Sequence, residues 1–231
     1  MTEQGITILN DITLNSVSND GNKPVITANS QNYTFDAVLY ATGRKPNTAN
    51  IGLENTDITT NERGAIVVND TCESSVSGVY AVGDVNGGPQ FTYISLDDFR
   101  IVFGALTGNS SYTLKDRKNI PYTTFLTPPL ARIGLTEEDS INKGYTVKTK
   151  EMLVATMPRA HVNDYLKGAF KIVVNADNDL ILGATLYSQG AEELINLIKM
   201  AMDNNIPYTY FKNQIFTHPT MAENLNDLCN F

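Results

Sequence analysis
The chain has 231 residues, 42% of them hydrophobic, and its 17 basic and 25 acidic side chains give a net charge of −8. That length allows one large domain or two small ones with a buried core, and the negative balance argues against nucleic acid or anionic lipid as partners. No run approaches the roughly 18 apolar residues of a membrane span, and Met1 to Gly5 lacks a basic stretch leading into an apolar one, so the expected location is the cytoplasm.

In chain order, β-rich runs at 6–9, 12–17, 24–27 and 33–35 alternate with turn clusters such as Asn19-Asp20-Gly21-Asn22, which predicts a small antiparallel meander. The apolar runs 35–43 and 78–84 each stop at glycine or Gly-Asp and read as buried strands of a larger sheet. Between them the chain is polar and turn-rich, with one short apolar run at 65–68. A helix is expected over about 94–107, closed by Gly108, with a domain boundary in the polar stretch 110–119.

Beyond that boundary the hydrophobic period changes repeatedly, as in an α+β unit. The spacing predicts strands at 122–126 and 146–157 and a hairpin of 169–174 with 180–187. Thr136-Glu137-Glu138-Asp139 has the capping and charge pattern of a helix start, stopped at Gly144. Ala191, Leu194, Ile195, Ile198, Ala201 and Met202 recur at helical spacing ahead of Pro207. The fold class is therefore α/β passing to α+β.

Chemistry has few places to sit. The two cysteines, Cys72 and Cys229, are far apart and make neither a disulfide framework nor a metal motif. Both read as small apolar fillers or lone thiols, and nothing near Cys229, close to the C-terminus, supplies the positive environment that would favour its thiolate. Of the two histidines, His161 lies in a polar, turn-like stretch and reads as a solvated surface residue. His218 is the better candidate, because Pro219 restricts it to extended backbone and a helix is expected just after. Glu223 could fix its tautomer and raise its basicity, leaving the other ring nitrogen to exchange a proton with a thiol. Thr220 to Glu223 also reads as a plain capping box, and one carboxylate can serve both uses.

Asp84 ends an apolar run where α/β sheets bind ligands, and Gly83 allows close backbone approach there. An ordinary Gly-Asp turn is the competing reading. The helix beginning near Tyr93 would aim unpaired amides and the positive end of its dipole at whatever lies above Asp84.

Three segments in order carry a family resemblance. Residues 41–47, ATGRKPN, resemble the crossing from the nicotinamide domain back to the flavin domain in glutathione reductase, dihydrolipoamide dehydrogenase and mercuric reductase. Residues 79–84, VYAVGD, resemble the second FAD motif of that pyridine nucleotide–disulfide oxidoreductase family, and 218–223, HPTMAE, its HPTxxE motif. The stretches 90–102 and 216–228 resemble most its reactive-chlorine-resistance branch, whose members are associated with reactive chlorine species and copper(II).

The resemblance implies a homodimeric flavoenzyme using FAD and NAD(P)H. Asp84 would hold the ribityl chain, the helix start with Phe91, Thr92 and Tyr93 would face the isoalloxazine, and Gly43 would lie against the cofactor beside Gly83. His218, supported by Glu223, would serve the disulfide of the other subunit, with a cis peptide before Pro219. By the same comparison, residues 1–36 end a nicotinamide domain, 37–117 belong to a flavin domain and 118–231 form the dimerisation domain. The sequence has no GxGxxG and no CxxxxC. Those features precede this region in the family, so the partner expected is an N-terminal half, and without it the runs near Val38 and Val79 would expose apolar surface, which favours aggregation or disorder. The competing function is a dimerisation module with no redox activity of its own.

Overall fold
The computed structural model describes residues 5–231. The meander forms as a three-stranded antiparallel sheet of β1 (Leu14–Asn19), β2 (Pro24–Ala28) and β3 (Gln31–Thr34). The expected strand at 6–9 does not form, and Ile6, Ile8 and Leu9 are exposed. No β-strand neighbour reaches them among the described residues, so their β propensity finds no partner groups.

The two runs read as buried strands are corrections of the same kind. Residues 35–43 have no strand pairing, and Leu39 and Tyr40 are 89% and 76% exposed. In 78–84 a lone bridge, Tyr80 to Glu73, replaces the expected ladder. A strand is buried on both faces only when flanking strands exist beside it, and among the described residues these runs have no strand ladder. The predicted exposure of apolar surface near Val38 and Val79 is therefore present. Between the runs, Ala65, Ile66 and Cys72 are buried in a small bridge-linked cluster that also includes Ala81 of the second run.

Helix α1 (Thr92–Leu106) follows, ending before Gly108 as expected. It buries Ile94, Asp98 and Ile101, whereas Leu96, Phe99, Phe103 and Leu106 face outward.

The second half holds the main core. Strands β4 (Tyr122–Thr124), β5 (Leu130–Gly134), β6 (Val147–Leu153), β7 (Ala169–Asn175) and β8 (Ile181–Tyr187) form an antiparallel sheet in the order β4-β5-β8-β7-β6. Phe170, Ile172 and Val174 alternate along β7 toward a cluster completed by Ile133, Leu186 and helix α4 (Ala191–Asp203). Burying each large apolar side chain contributes about 1.5–3 kcal/mol. Helix α4 lays its predicted stripe, Ala191, Leu194, Ile195, Ile198 and Ala201, on β5 and β8.

Helix α2 (Glu137–Asn142) starts at the expected box, in which Thr136 Oγ1 accepts from the Asp139 amide at 3.0 Å and Asp139 returns a bond to the Thr136 amide. The strand expected over 146–157 stops at Leu153 and continues as a 3₁₀ turn, and the polar stretch around His161 is a short helix, α3 (Pro158–Val162), with proline at its start. Helices α5 (Tyr208–Asn213) and α6 (Asn224–Leu228) pack on each other, and α6 also meets β6 and β7. No helix among the described residues is long and apolar enough to cross a membrane.

Candidate functional site
The loop from α5 to α6 carries the imidazole. Its ends are tied by Asn226, whose Nδ2 donates to the carbonyls of Phe211 at 2.6 Å and Gln214 at 2.9 Å. Lys150 on β6 holds the far side of α6, donating to the carbonyls of Asp227 at 2.7 Å and Asn230 at 2.6 Å. The His218–Pro219 peptide is cis, as is Thr127–Pro128.

Within this frame Glu223 divides its oxygens. Oε1 accepts from the Thr220 amide at 2.9 Å and Oε2 meets His218 Nδ1 at 2.8 Å, while Thr220 Oγ1 accepts from the Glu223 amide at 3.2 Å. The capping reading and the imidazole reading therefore describe one arrangement. It forms on the turn ahead of α6, not in the helix itself. The bond with His218, and after it the Thr220 amide, holds the Glu223 carboxyl below the ordinary glutamate range. The His218 side chain is 69% exposed, and Nε2 has no partner among the described residues.

A second arrangement surrounds Asp84. Residues Gly83–Asn86 form a 3₁₀ turn packed against α1, and a cleft of about 320 Å³ opens between them, lined by Arg44, Gly83, Asp84, Gln90, Thr92 and Ser95. Gly83 has φ +76°, and a Cβ there would come within 2.6 Å of Ser95 Oγ, so only glycine lets the turn sit this close to α1. Phe91 precedes the helix in extended conformation, and the amides of Thr92 and Tyr93 carry no hydrogen bond among the described residues. The rings of Phe91 and Tyr93 stack at 5.0 Å, and Tyr93 Oη donates to the Pro121 carbonyl at 2.6 Å. Gly43, at φ +104° with open space around its Cα, joins this region through its neighbour. Arg44 reaches Asp84 Oδ2 at 3.4 Å and donates to the Gln90 carbonyl at 3.2 Å.

The sequence-derived candidates thus gather into two groups, His218 with Glu223 and Asp84 with Gly83, Phe91, Thr92, Tyr93 and Gly43. No hydrogen bond, ion pair or shared cleft joins the groups among the described residues. Three members went unread in the sequence. Arg44 was quoted only within its motif, although a cation after a glycine at a strand end is a plain candidate for a nearby acid. Asp98 is fully buried and Arg117 nearly so, and the two form an ion pair. The signal for Asp98 was its place on the apolar stripe, four residues after Ile94 and three before Ile101.

Both cysteines are buried, as the apolar-filler reading expects. The last turn folds back over the core beside Leu225 and Leu228, and burial pushes the Cys229 thiol up to about 12. Burial likewise raises Cys72 to about 11. Neither environment favours a thiolate. His161 is exposed, with Nε2 at 2.8 Å from the Ala155 carbonyl, and no cluster of metal-ligating groups occurs among the described residues.

Comparison with known proteins gives a consistent picture. Residues 120–229 match the pyridine nucleotide-disulphide oxidoreductase dimerisation domain, and residues 1–98 match pyridine nucleotide-disulphide oxidoreductase. The chain is 42% identical over 228 residues to the probable pyridine nucleotide-disulfide oxidoreductase RclA of Escherichia coli strain K12, covering 99% of this chain and 52% of that protein. It is 34% identical over 233 residues to mercuric reductase of Staphylococcus aureus, covering 97% and 42% respectively. Among solved structures, the HOCl-induced flavoprotein disulfide reductase RclA from Escherichia coli superposes with a TM-score of 0.95 at 42% identity, over 99% of this chain and 52% of that one. Its Cu(II) complex gives 0.91 at 42% identity, over 94% and 49%. The chain thus spans about half the length of the relatives it matches.

Proposed function
We propose, because this chain belongs to the pyridine nucleotide-disulphide oxidoreductase family, that it supplies the acid–base pair, part of the flavin site and the dimer contact of an FAD-dependent NAD(P)H:disulfide oxidoreductase. The observation that carries this reading is the shared carboxylate of Glu223, bonded to His218 through one oxygen and to the loop backbone through the other. That geometry fixes which ring nitrogen faces the carboxylate and presents Nε2 for proton exchange with a thiol. The reaction takes NAD(P)H, a proton and a disulfide to NAD(P)⁺ and two thiols, and His218 serves as the proton's station in the partner subunit's dithiol site. A metal ion or a chlorine-derived oxidant is the alternative acceptor, by analogy with the mercuric reductase and the Cu(II)-binding, HOCl-induced relatives.

The residues present fit one end of FAD. A cradle that a Cβ at Gly83 would fill, the half-exposed Asp84 carboxylate and the free amides at the start of α1 suit ribityl hydroxyls and the carbonyl edge of a flavin ring. Phe91, Thr92 and Tyr93 would flank the ring, with Gly43 and Gly83 permitting its approach. A pyrophosphate-binding GxGxxG is not in the sequence. When bound, FAD carries electrons from the nicotinamide to sulfur. The domain division we assign is 1–36, 37–117 and 118–231, and the partners are a second copy of the chain and an N-terminal half bearing the glycine loops and the CxxxxC pair.

One observation favours a second reading for the chain by itself, a dimerisation module without redox activity. Both of its thiols are buried, and burial raises their pKa values, which disfavours the thiolate that dithiol chemistry needs. The two readings separate when the chain is combined with an N-terminal half. NAD(P)H-dependent disulfide reduction should appear, and His218→Ala should lower it by about 10²–10⁴-fold. Activity unchanged in His218→Ala would remove the histidine from the mechanism, and no activity in any combination would leave the module reading.

A further inference from the structure
Asp98 is a fully buried acid on the apolar stripe of α1, and none of its atoms lines the cleft beside Asp84. A buried carboxylate persists only where its charge and lone pairs are met. Here Oδ2 accepts from the Gly83 amide at 2.7 Å and from Asn86 Nδ2 at 2.8 Å, and Oδ1 pairs with the Arg117 guanidinium. The first and last residues of the Asp84 turn are thus hung from one oxygen, and the other is neutralised from the segment that leads into the sheet domain. Arg117 in turn is steadied by Asp97, which its Nε reaches at 2.7 Å and to which Tyr112 Oη also donates. This clamp differs from Arg44, which touches the Asp84 side chain directly.

We propose that Asp98 is a positioning residue. It fixes the Gly83–Asn86 turn, and hence the direction of the Asp84 carboxylate, with Arg117 as its charged partner inside the protein. The proposal deepens the cofactor reading above and rests on it for its functional consequence. A neutral side chain at position 98 still fills the space but weakens the charge-assisted bonds that hold the turn.

The test uses two readouts, residue-resolved amide exchange on the chain and FAD titration, followed by flavin fluorescence, of the chain combined with an N-terminal half. In Asp98→Asn, exchange at Gly83 should accelerate about 10-fold while β7 amides keep their protection, and FAD should bind about 10-fold more weakly. Arg117→Lys, which keeps the charge, should fall between Asp98→Asn and the unmodified chain. Asp84→Asn should weaken FAD binding with Gly83 exchange unaltered. Unchanged Gly83 exchange in Asp98→Asn, or acceleration spread evenly through β7, overturns the proposal, as does FAD affinity that ignores a loosened turn. If the unmodified chain combined with its N-terminal half takes up no FAD, it is the cofactor reading that fails, and the exchange pattern alone decides whether Asp98 governs the turn.

Discussion

The two halves of this chain meet the same requirement, burial of apolar side chains, with opposite results. From residue 120 onward, five strands and five helices surround one cluster running from Ala131 to Cys229. Before that point, the buried apolar residues are scattered as Ala28, Ala65, Ile66, Cys72, Ala81, Ile94 and Ile101, while Leu39, Tyr40, Phe99, Phe103 and Leu106 lie open. Composition alone does not separate the halves, since both are rich in apolar runs. What separates them is whether the neighbours that a strand or helix face needs are present within the chain.

The sharpest way to break that contrast is substitution in matched pairs. Phe170→Ala, deep in the sheet domain, should lower unfolding free energy by about 3–5 kcal/mol, whereas Leu39→Ala, at an 89% exposed position, should stay within about 0.5 kcal/mol. Urea unfolding of each variant measures both, and a large loss from Leu39→Ala would show that the first half is packed after all. A smaller effect is expected at the histidine loop, where Thr220→Ala removes the side-chain acceptor for the Glu223 amide and should cost about 1 kcal/mol.

Much of this contrast was legible beforehand. The stripe from Ala191 to Ala201 and the β7–β8 hairpin could be read because local period and tertiary burial agree there. The HPTMAE run likewise announced both the carboxylate–imidazole contact and the cap, because five residues suffice to bring those groups together. The runs at 35–43 and 78–84 misled for the complementary reason. Their pattern fits strands buried in a larger sheet, but no flanking strands occur among the described residues, so propensity pointed to a tertiary context absent there. Asp98 and Arg117 went unread because their pairing spans a polar stretch of chain with no period to follow.

Two gentler probes sharpen the comparison further. Thiol labelling should be slow at both cysteines, and faster at Cys72 than at Cys229 if the first half opens more often, since both are buried but only Cys229 belongs to the large cluster. Equal rates would argue that one cooperative unit contains both. The smallest effect concerns acid. The Glu223 carboxyl is held lower in the folded chain than in the unfolded one, so its stabilisation is complete above the unfolded glutamate value and fades as pH falls through the folded one. Glu223→Gln should flatten that part of the stability–pH curve, as read by thermal unfolding across mildly acidic buffers.

The moorings of the loop between α5 and α6 have a consequence for what can vary around the imidazole. Asn226 and Lys150 grip carbonyl oxygens, which every residue type possesses. The path of the polypeptide at these ends is thereby set through groups common to all residues, and Ile215, 95% exposed, shows how loosely one side chain of the loop is bound to the rest. The bulk and polarity presented at Ile215 can therefore change without shifting the ring that follows, so recognition and proton handling at this loop are free to diversify separately.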